Sequence, residues 1–130
     1  MDRLLVTTTE REQMVNITHS VQAMIRSKRW INGTMKLFCP HTTASLTFTE
    51  GNDPAVGRDF LGALTRSIPY GGGWNHSGNA EAHVKSALVG HNVEIFVERG
   101  QILFGSWQGV FFCEFDGPRP REVWVKWFGC

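Results

Sequence analysis

The last third of the chain alternates with period two, through Val93, Ile95 and Val97, then residues 102–104, residues 108–115, and Val123, Val125 and Trp127. Successive side chains of a strand point to opposite faces, so this pattern reads as a series of antiparallel strands with one face against a core. Residues 4–8 and 13–17 read as shorter strands, as do 34–39 and 45–50. In the last of these Leu46, Phe48 and Glu50 share one face and Ser45, Thr47 and Thr49 the other.

Helical spacing interrupts this pattern. A helix is predicted from Thr18, with Val21, Met24 and Ile25 on its apolar side and an end near Asn32 and Gly33. Asp53 and Pro54 form an N-cap and first-turn pair for a second helix carrying Val56, Phe60, Leu61, Leu64 and Ile68, which Pro69 stops. Asn79 is placed to cap a third, with Ala80, Val84, Ala87 and Leu88 on one face and Gly90 terminating it. The expected fold is a single α+β domain over residues 1–130, a largely antiparallel sandwich with about three helices inserted mid-chain.

At 130 residues the chain is long enough for a real core. Its charged share of 19% is low for a small monomer, and five tryptophans and nine phenylalanines are more aromatic area than such a core absorbs, which suggests self-association. A net charge of +1 gives no basic excess to attract nucleic acid or a membrane surface. Cys39, Cys113 and Cys130 lack CxxC spacing, which fits a reducing compartment, and the polar N-terminus does not read as a signal peptide. The expected location is the cytoplasm.

Neutral imidazole is the commonest protein ligand of zinc, so His41, His76 and His83, beside polar loops and a helix start, are the first candidates for chemistry. Their spacing matches no short ligand motif, and structural or exposed histidines remain the competing reading; His19 and His91 look like surface positions. Cys39, two residues before His41, is a further possible ligand. Glu50 and Asp53 are carboxylates able to move a proton near a metal-bound water, although Asp53 is already accounted for as a helix cap.

Lys85, Ser86, Arg119 and Arg121, with the helix start at Asn79, are candidate holders of a phosphate. The plainer reading of Arg119 and Arg121 is a turn tied to Asp116 or Glu122. Trp107 and Gln108, beside glycines, can stack on and hydrogen-bond a planar ring, or can belong to the core or an interface.

Three stretches, HTTASLTFTEGND from His41 to Asp53, GNAEAHVKSALVG from Gly78 to Gly90, and FGSWQGVFFCEFDGPRPREV from Phe104 to Val123, closely resemble the signature blocks of the YjbQ-like family, also called the secondary thiamine-phosphate synthase family. The blocks cover about a third of the chain in the family's order, and the flanking segments agree in pattern. The resemblance implies a small α+β protein that assembles as a homotrimer. It also implies a weak ability to join a pyrimidine diphosphate to a thiazole phosphate. His41, His76 and His83 fall at histidine positions of those blocks, which implies a metal site, zinc before magnesium because imidazoles suit zinc.

On this reading Glu50, Asp53 and Lys85 are the catalytic candidates and Asn79, Ser86, Trp107, Gln108, Arg119 and Arg121 the substrate-binding ones. The expected substrate is a small phosphorylated metabolite. Two other functions compete, a zinc-dependent hydrolase of a small phosphorylated or cyclic metabolite and a non-catalytic trimeric protein binding a metabolite or a metal.

Overall fold

The computed structural model describes residues 1–130. Along the chain run β1 (Asp2–Thr7), β2 (Gln13–Asn16), α1 (Thr18–Lys28), β3 (Gly33–Phe38), β4 (Ala44–Glu50), α2 (Pro54–Ser67), α3 (Ala80–Val89), β5 (Asn92–Glu98), β6 (Gln101–Leu103), β7 (Gln108–Glu114) and β8 (Pro120–Gly129). They form a five-stranded antiparallel sheet in the order β1-β8-β3-β5-β6 and a three-stranded one in the order β2-β7-β4. The expected α+β sandwich is therefore present. The C-terminal strands are not all neighbours, however: β7 leaves β6 for the smaller sheet and β8 returns to the centre of the larger one.

The two sheets face each other across the main core. Val6, Met35, Leu37, Ile95, Val97, Val123 and Val125 enter it from the larger sheet, and Ala44, Leu46, Val110 and Phe112 from the smaller, all buried. Val21 and Ile25 of α1 complete it. That helix stops at Arg29, earlier than the sequence suggested, because Arg29 turns left-handed (φ 56°) and Trp30 N–H closes onto the Ile25 carbonyl at 3.1 Å. The other face of the smaller sheet carries Met14, Cys113 and Phe115 against Phe60, Leu61 and Leu64 of α2 and Ala82 and Val89 of α3. The outer face of the larger sheet is uncovered in the chain and bears the exposed Leu5, Phe38, Phe96, Leu103 and Phe128.

The buried face of α3 differs from the apolar stripe read in the sequence. Leu88 is 68% exposed, whereas Glu81, Lys85 and Ser86 are buried beside Ala80 and Ala82. Polar side chains occupy that face because each finds a partner there: Arg11 for Glu81, Glu12 for Lys85 and the Ala44 carbonyl for Ser86.

In the smaller sheet Ala44 lies opposite Glu114, and six residues along Glu50 lies opposite Gln108. At the rise of a strand those two ends are about 20 Å apart. Residues that follow β7 and precede α3 gather at one end, and the turns after β4 and before β7 gather at the other.

Candidate functional site

At the Glu114 end, the Gly-rich loop between α2 and α3 brings His76 back against the first turn of α3. The His76 and His83 rings meet edge to face, 5.1 Å between centroids. Asn79 does not cap the helix with its side chain. Its Oδ1 instead accepts from His76 Nε2 at 3.1 Å, and its Nδ2 donates to Asp116 Oδ2 at 2.9 Å. Asp116 in turn accepts from Arg119, through its carboxylate at 3.1 Å and its backbone carbonyl at 2.9 Å. The turn expected between Arg119 and Asp116 is thus present, and it places an arginine beside the open N-terminus of a helix. Gly117 lets this turn pack against the loop between β1 and β2, where a Cβ would clash with the Glu10 carbonyl oxygen. Trp74, Asn75, His76, Ala80, His83 and Val84 line an open, shallow pocket of 320 Å³ at this point.

A layer of ion pairs supports the cluster from below. Lys85, wholly buried, donates to Glu12 at 2.6 Å and to Thr65 at 3.3 Å. Arg11 donates to the buried Glu81 at 2.9 Å. Both cations lie 5.0 Å from the Tyr70 ring centroid, so the first residue of the glycine-rich stretch is held between two positive charges. Burial first, and then Glu12, push the Tyr70 phenol upward, keeping it neutral. In the isolated chain Lys85 thus ties the turn before β2 to α2 and α3, and its ammonium is committed to Glu12.

Arg121 is committed elsewhere. Its Nε donates to Glu114 Oε1 at 2.9 Å, and its terminal nitrogen bonds both Glu114 Oε2 and Thr43 Oγ1, the latter at 2.8 Å. Thr8 and the Asp116 N–H also donate to Glu114. Burial would raise the Glu114 carboxyl, but its bonds from Arg121 and Thr8 outweigh that and hold it below the ordinary carboxylate range.

Ser86 Oγ donates to the Ala44 carbonyl at 2.7 Å and lies 2.8 Å from His91 Nε2. Since its one proton goes to a carbonyl, the serine accepts from an Nε2–H of His91. His91, read as a surface position, is therefore half-buried and bonded, and Ser86 fastens α3 to β4. His41 Nε2 sits 3.1 Å from both the N–H and the carbonyl of Glu122. Burial, then the charge of Arg121, lower its pKa. Cys39 is buried and its thiol is pushed up to about 11 by desolvation.

The remaining candidates lie at the opposite end of the smaller sheet. Glu50 accepts from the backbone N–H groups of Asn52 at 3.0 Å and Asp53 at 2.6 Å, which shapes the turn into α2. Asp53 caps α2 by accepting from Ala55 N–H at 2.9 Å, as its place before Pro54 suggested. Gln108 Oε1 accepts from Gly105 N–H at 2.8 Å, and Trp107 is 68% exposed at φ 72°. About 20 Å of strand separates this group from His76 and His83 in the same chain.

A zinc site needs three or four ligands converging on one point. His76 and His83 are adjacent, but no group of three or more His, Cys, Asp or Glu side chains is placed to hold a metal. His41 turns to Glu122 instead. One chain therefore does not assemble the three-histidine set. Trp74, Arg11, Glu12 and Tyr70 carried no weight in the sequence reading. Tyr70 and Trp74 are the two with a signal there, as aromatics of the glycine-rich stretch that carries His76.

No helix is long and apolar enough to cross a membrane. The sequence signature described as UPF0047 protein YjbQ-like matches residues 2–130. The UPF0047 protein YugU of Bacillus subtilis is 39% identical over 97% of both chains, and the UPF0047 protein MJ1081 of Methanocaldococcus jannaschii is 42% identical over 95% of this chain and 91% of that one. Among solved structures, an uncharacterized conserved protein of the yjbq/upf0047 family from Clostridium acetobutylicum superposes with a TM-score of 0.94 at 39% identity, covering 98% of this chain and 100% of that one. A conserved hypothetical protein of Thermus thermophilus does so with a TM-score of 0.91 at 44% identity and the same coverage. Sequence signature, full-length relatives and fold agree, and the chain belongs to the YjbQ-like UPF0047 family.

Proposed function

We propose that this protein is an enzyme of small phosphorylated metabolites of the secondary thiamine-phosphate synthase type, joining a pyrimidine diphosphate to a thiazole phosphate at the N-terminal turn of α3. The observation that carries this reading is the gathering of His76, Asn79 and His83 at one helix start without a side-chain cap, with Arg119 joined to Asn79 through their shared acceptor, Asp116 Oδ2. Backbone N–H groups at such a start point outward and favour anions, and Arg119, half-exposed, adds a forked cation. Arg11, Lys85 and Arg119 are balanced nearby by Glu12, Glu81 and Asp116. A phosphate is therefore held by directed donors rather than by net charge.

In the reaction the bond from the pyrimidine methylene carbon to the diphosphate oxygen breaks, and the thiazole nitrogen lone pair forms the new bond to that carbon. Diphosphate leaves with the electron pair. Arg119 and the helix N–H groups stabilise the charge that develops on it, and the His83 imidazole donates an N–H bond to one of its oxygens. Asn79 fixes His76 by accepting from its Nε2. No step is assigned to Glu50, Asp53, Trp107 or Gln108, which lie at the far end of the sheet. The test is growth of a strain lacking its thiamine-phosphate synthase when this chain is overproduced. Growth with the natural chain that is lost with His83→Ala supports the reading, and no growth with the natural chain overturns it.

A further inference from the structure

The pocket beside His76 and His83 has one wall the reaction does not yet use. Trp74 forms it, 38% exposed, and its ring is not free to turn. The indole Nε1 donates to the Pro69 carbonyl at 3.2 Å, and Gly72 lies against the ring, where an added Cβ would meet indole carbons at 3.0 and 3.1 Å. A side chain at position 72 would press on the indole and shift it by a few tenths of an ångström. Ala80 and Val84 supply the opposite apolar side, one turn apart on α3, and the two imidazoles lie at the polar edge.

The geometry points to a subsite in which Trp74 stacks on a planar heteroaromatic ring of the substrate, with the ring's anionic substituent directed to His83. This rests on the proposed site and names the part of the substrate it selects. A fixed aromatic plane, a facing apolar wall and hydrogen-bonding nitrogens at one rim are what a flat ring with a polar edge requires. Roughly 150 Å³ is enough for a benzene-sized ring, so 320 Å³ takes a substituted ring together with the start of its phosphate chain. Trp107, the aromatic that the sequence suggested for this role, stands at the other end of the sheet, and Trp74 takes its place.

Calorimetric titration of the full chain with an aminopyrimidine carrying a methylene diphosphate, with the same aminopyrimidine unphosphorylated, and with inorganic pyrophosphate tests this. The ring-bearing diphosphate is expected to bind about tenfold or more tightly than pyrophosphate, the scale of a base stacked on an aromatic side chain. Trp74→Ala abolishes that advantage and leaves pyrophosphate binding unchanged, while Trp74→Phe keeps most of it. Gly72→Ala weakens ring binding with the tryptophan still present. A ring advantage that survives both Trp74→Ala and Gly72→Ala overturns the subsite while leaving the phosphate site standing. Binding of the unphosphorylated ring, lost in Trp74→Ala, with no gain from phosphate would keep the subsite and overturn the proposed reaction. No binding of any probe overturns both.

Discussion

Replacing Arg121 with methionine separates a core role for this side chain from a role in holding phosphate. Arg121 is 5% exposed and gives Glu114 two N–H bonds, and Glu114 is itself 0% exposed. Methionine keeps the bulk and removes the cation, so a carboxylate is left buried with only Thr8 and the Asp116 N–H as donors. Breaking one side of a buried pair costs about 3–5 kcal/mol. With a urea slope near 2 kcal/mol per molar, a loss of about 4 kcal/mol lowers the unfolding midpoint by roughly 2 M. Urea unfolding followed by tryptophan fluorescence reads this shift.

Adding Glu114→Gln to Arg121→Met removes both charges and keeps an acceptor for Thr8 and Asp116, and it restores about half of the loss or more. Acidity supplies an independent check. The folded pKa of Glu114 lies below its ordinary value of 4.5, so its contribution is complete above that value and is lost as pH falls through the folded pKa. In Arg121→Met the carboxyl takes up its proton more easily, and the deficit relative to the natural chain narrows as pH falls from the variant's folded pKa towards that of the natural chain, which lies below 4.5. A midpoint moved by less than about 0.5 M, together with lost pyrophosphate binding, would refute the core role and make Arg121 a ligand.

Asp53→Ala removes the cap of α2 and is expected to cost about 1 kcal/mol of unfolding free energy without changing pyrophosphate affinity, as equilibrium unfolding and calorimetry would show. Trp107→Gly relieves a left-handed backbone at an exposed side chain and is expected to raise stability by about 1 kcal/mol; a lower melting temperature would mean that the ring is packed against something. The uncovered face of the larger sheet, with Phe96 opposite Leu103 and Thr34 lying between Phe96 and Phe128, is proposed to be buried in a homotrimer. Light scattering should then give three times the 14.6 kDa chain mass, and a lone monomer at micromolar concentration would contradict it.

The strands and helices were legible in the sequence because their periods and punctuation are local. Asp53 followed by Pro54 marks a helix start whatever surrounds it. The buried face of α3 was not legible, because Lys85 and Glu81 read as solvent-facing until Glu12 and Arg11, some 70 residues earlier in the chain, are brought against them. Asn79 illustrates the same limit. Its place before Ala80 marks the start of α3, yet its side chain serves His76 and Asp116, contacts that only the returning loop and the end of β7 create.

The candidate site was legible in part. His76, Asn79, His83 and Arg119 converge as a single substrate site would require, whereas Glu50, Asp53, Trp107 and Gln108 carry equally suggestive chemistry and lie about 20 Å away. Nothing in a linear sequence states which end of a strand a motif will occupy until the register of β4 on β7 is known. Trp74 is not legible as a site residue because an aromatic in a glycine-rich stretch has no period to announce it. Its meaning comes from the Pro69 carbonyl and the bare Gly72 that fix its ring.

The most direct test of the central claim is the formation of thiamine phosphate by the purified chain from the pyrimidine diphosphate and the thiazole phosphate, measured beside His83→Ala and Arg119→Ala. The account predicts product from the natural chain, with the rate reduced at least about tenfold in each variant while urea unfolding stays within about 1 kcal/mol of the natural chain. Product formed equally well by His83→Ala and Arg119→Ala, or none from the natural chain, would contradict the placement of the chemistry at the start of α3.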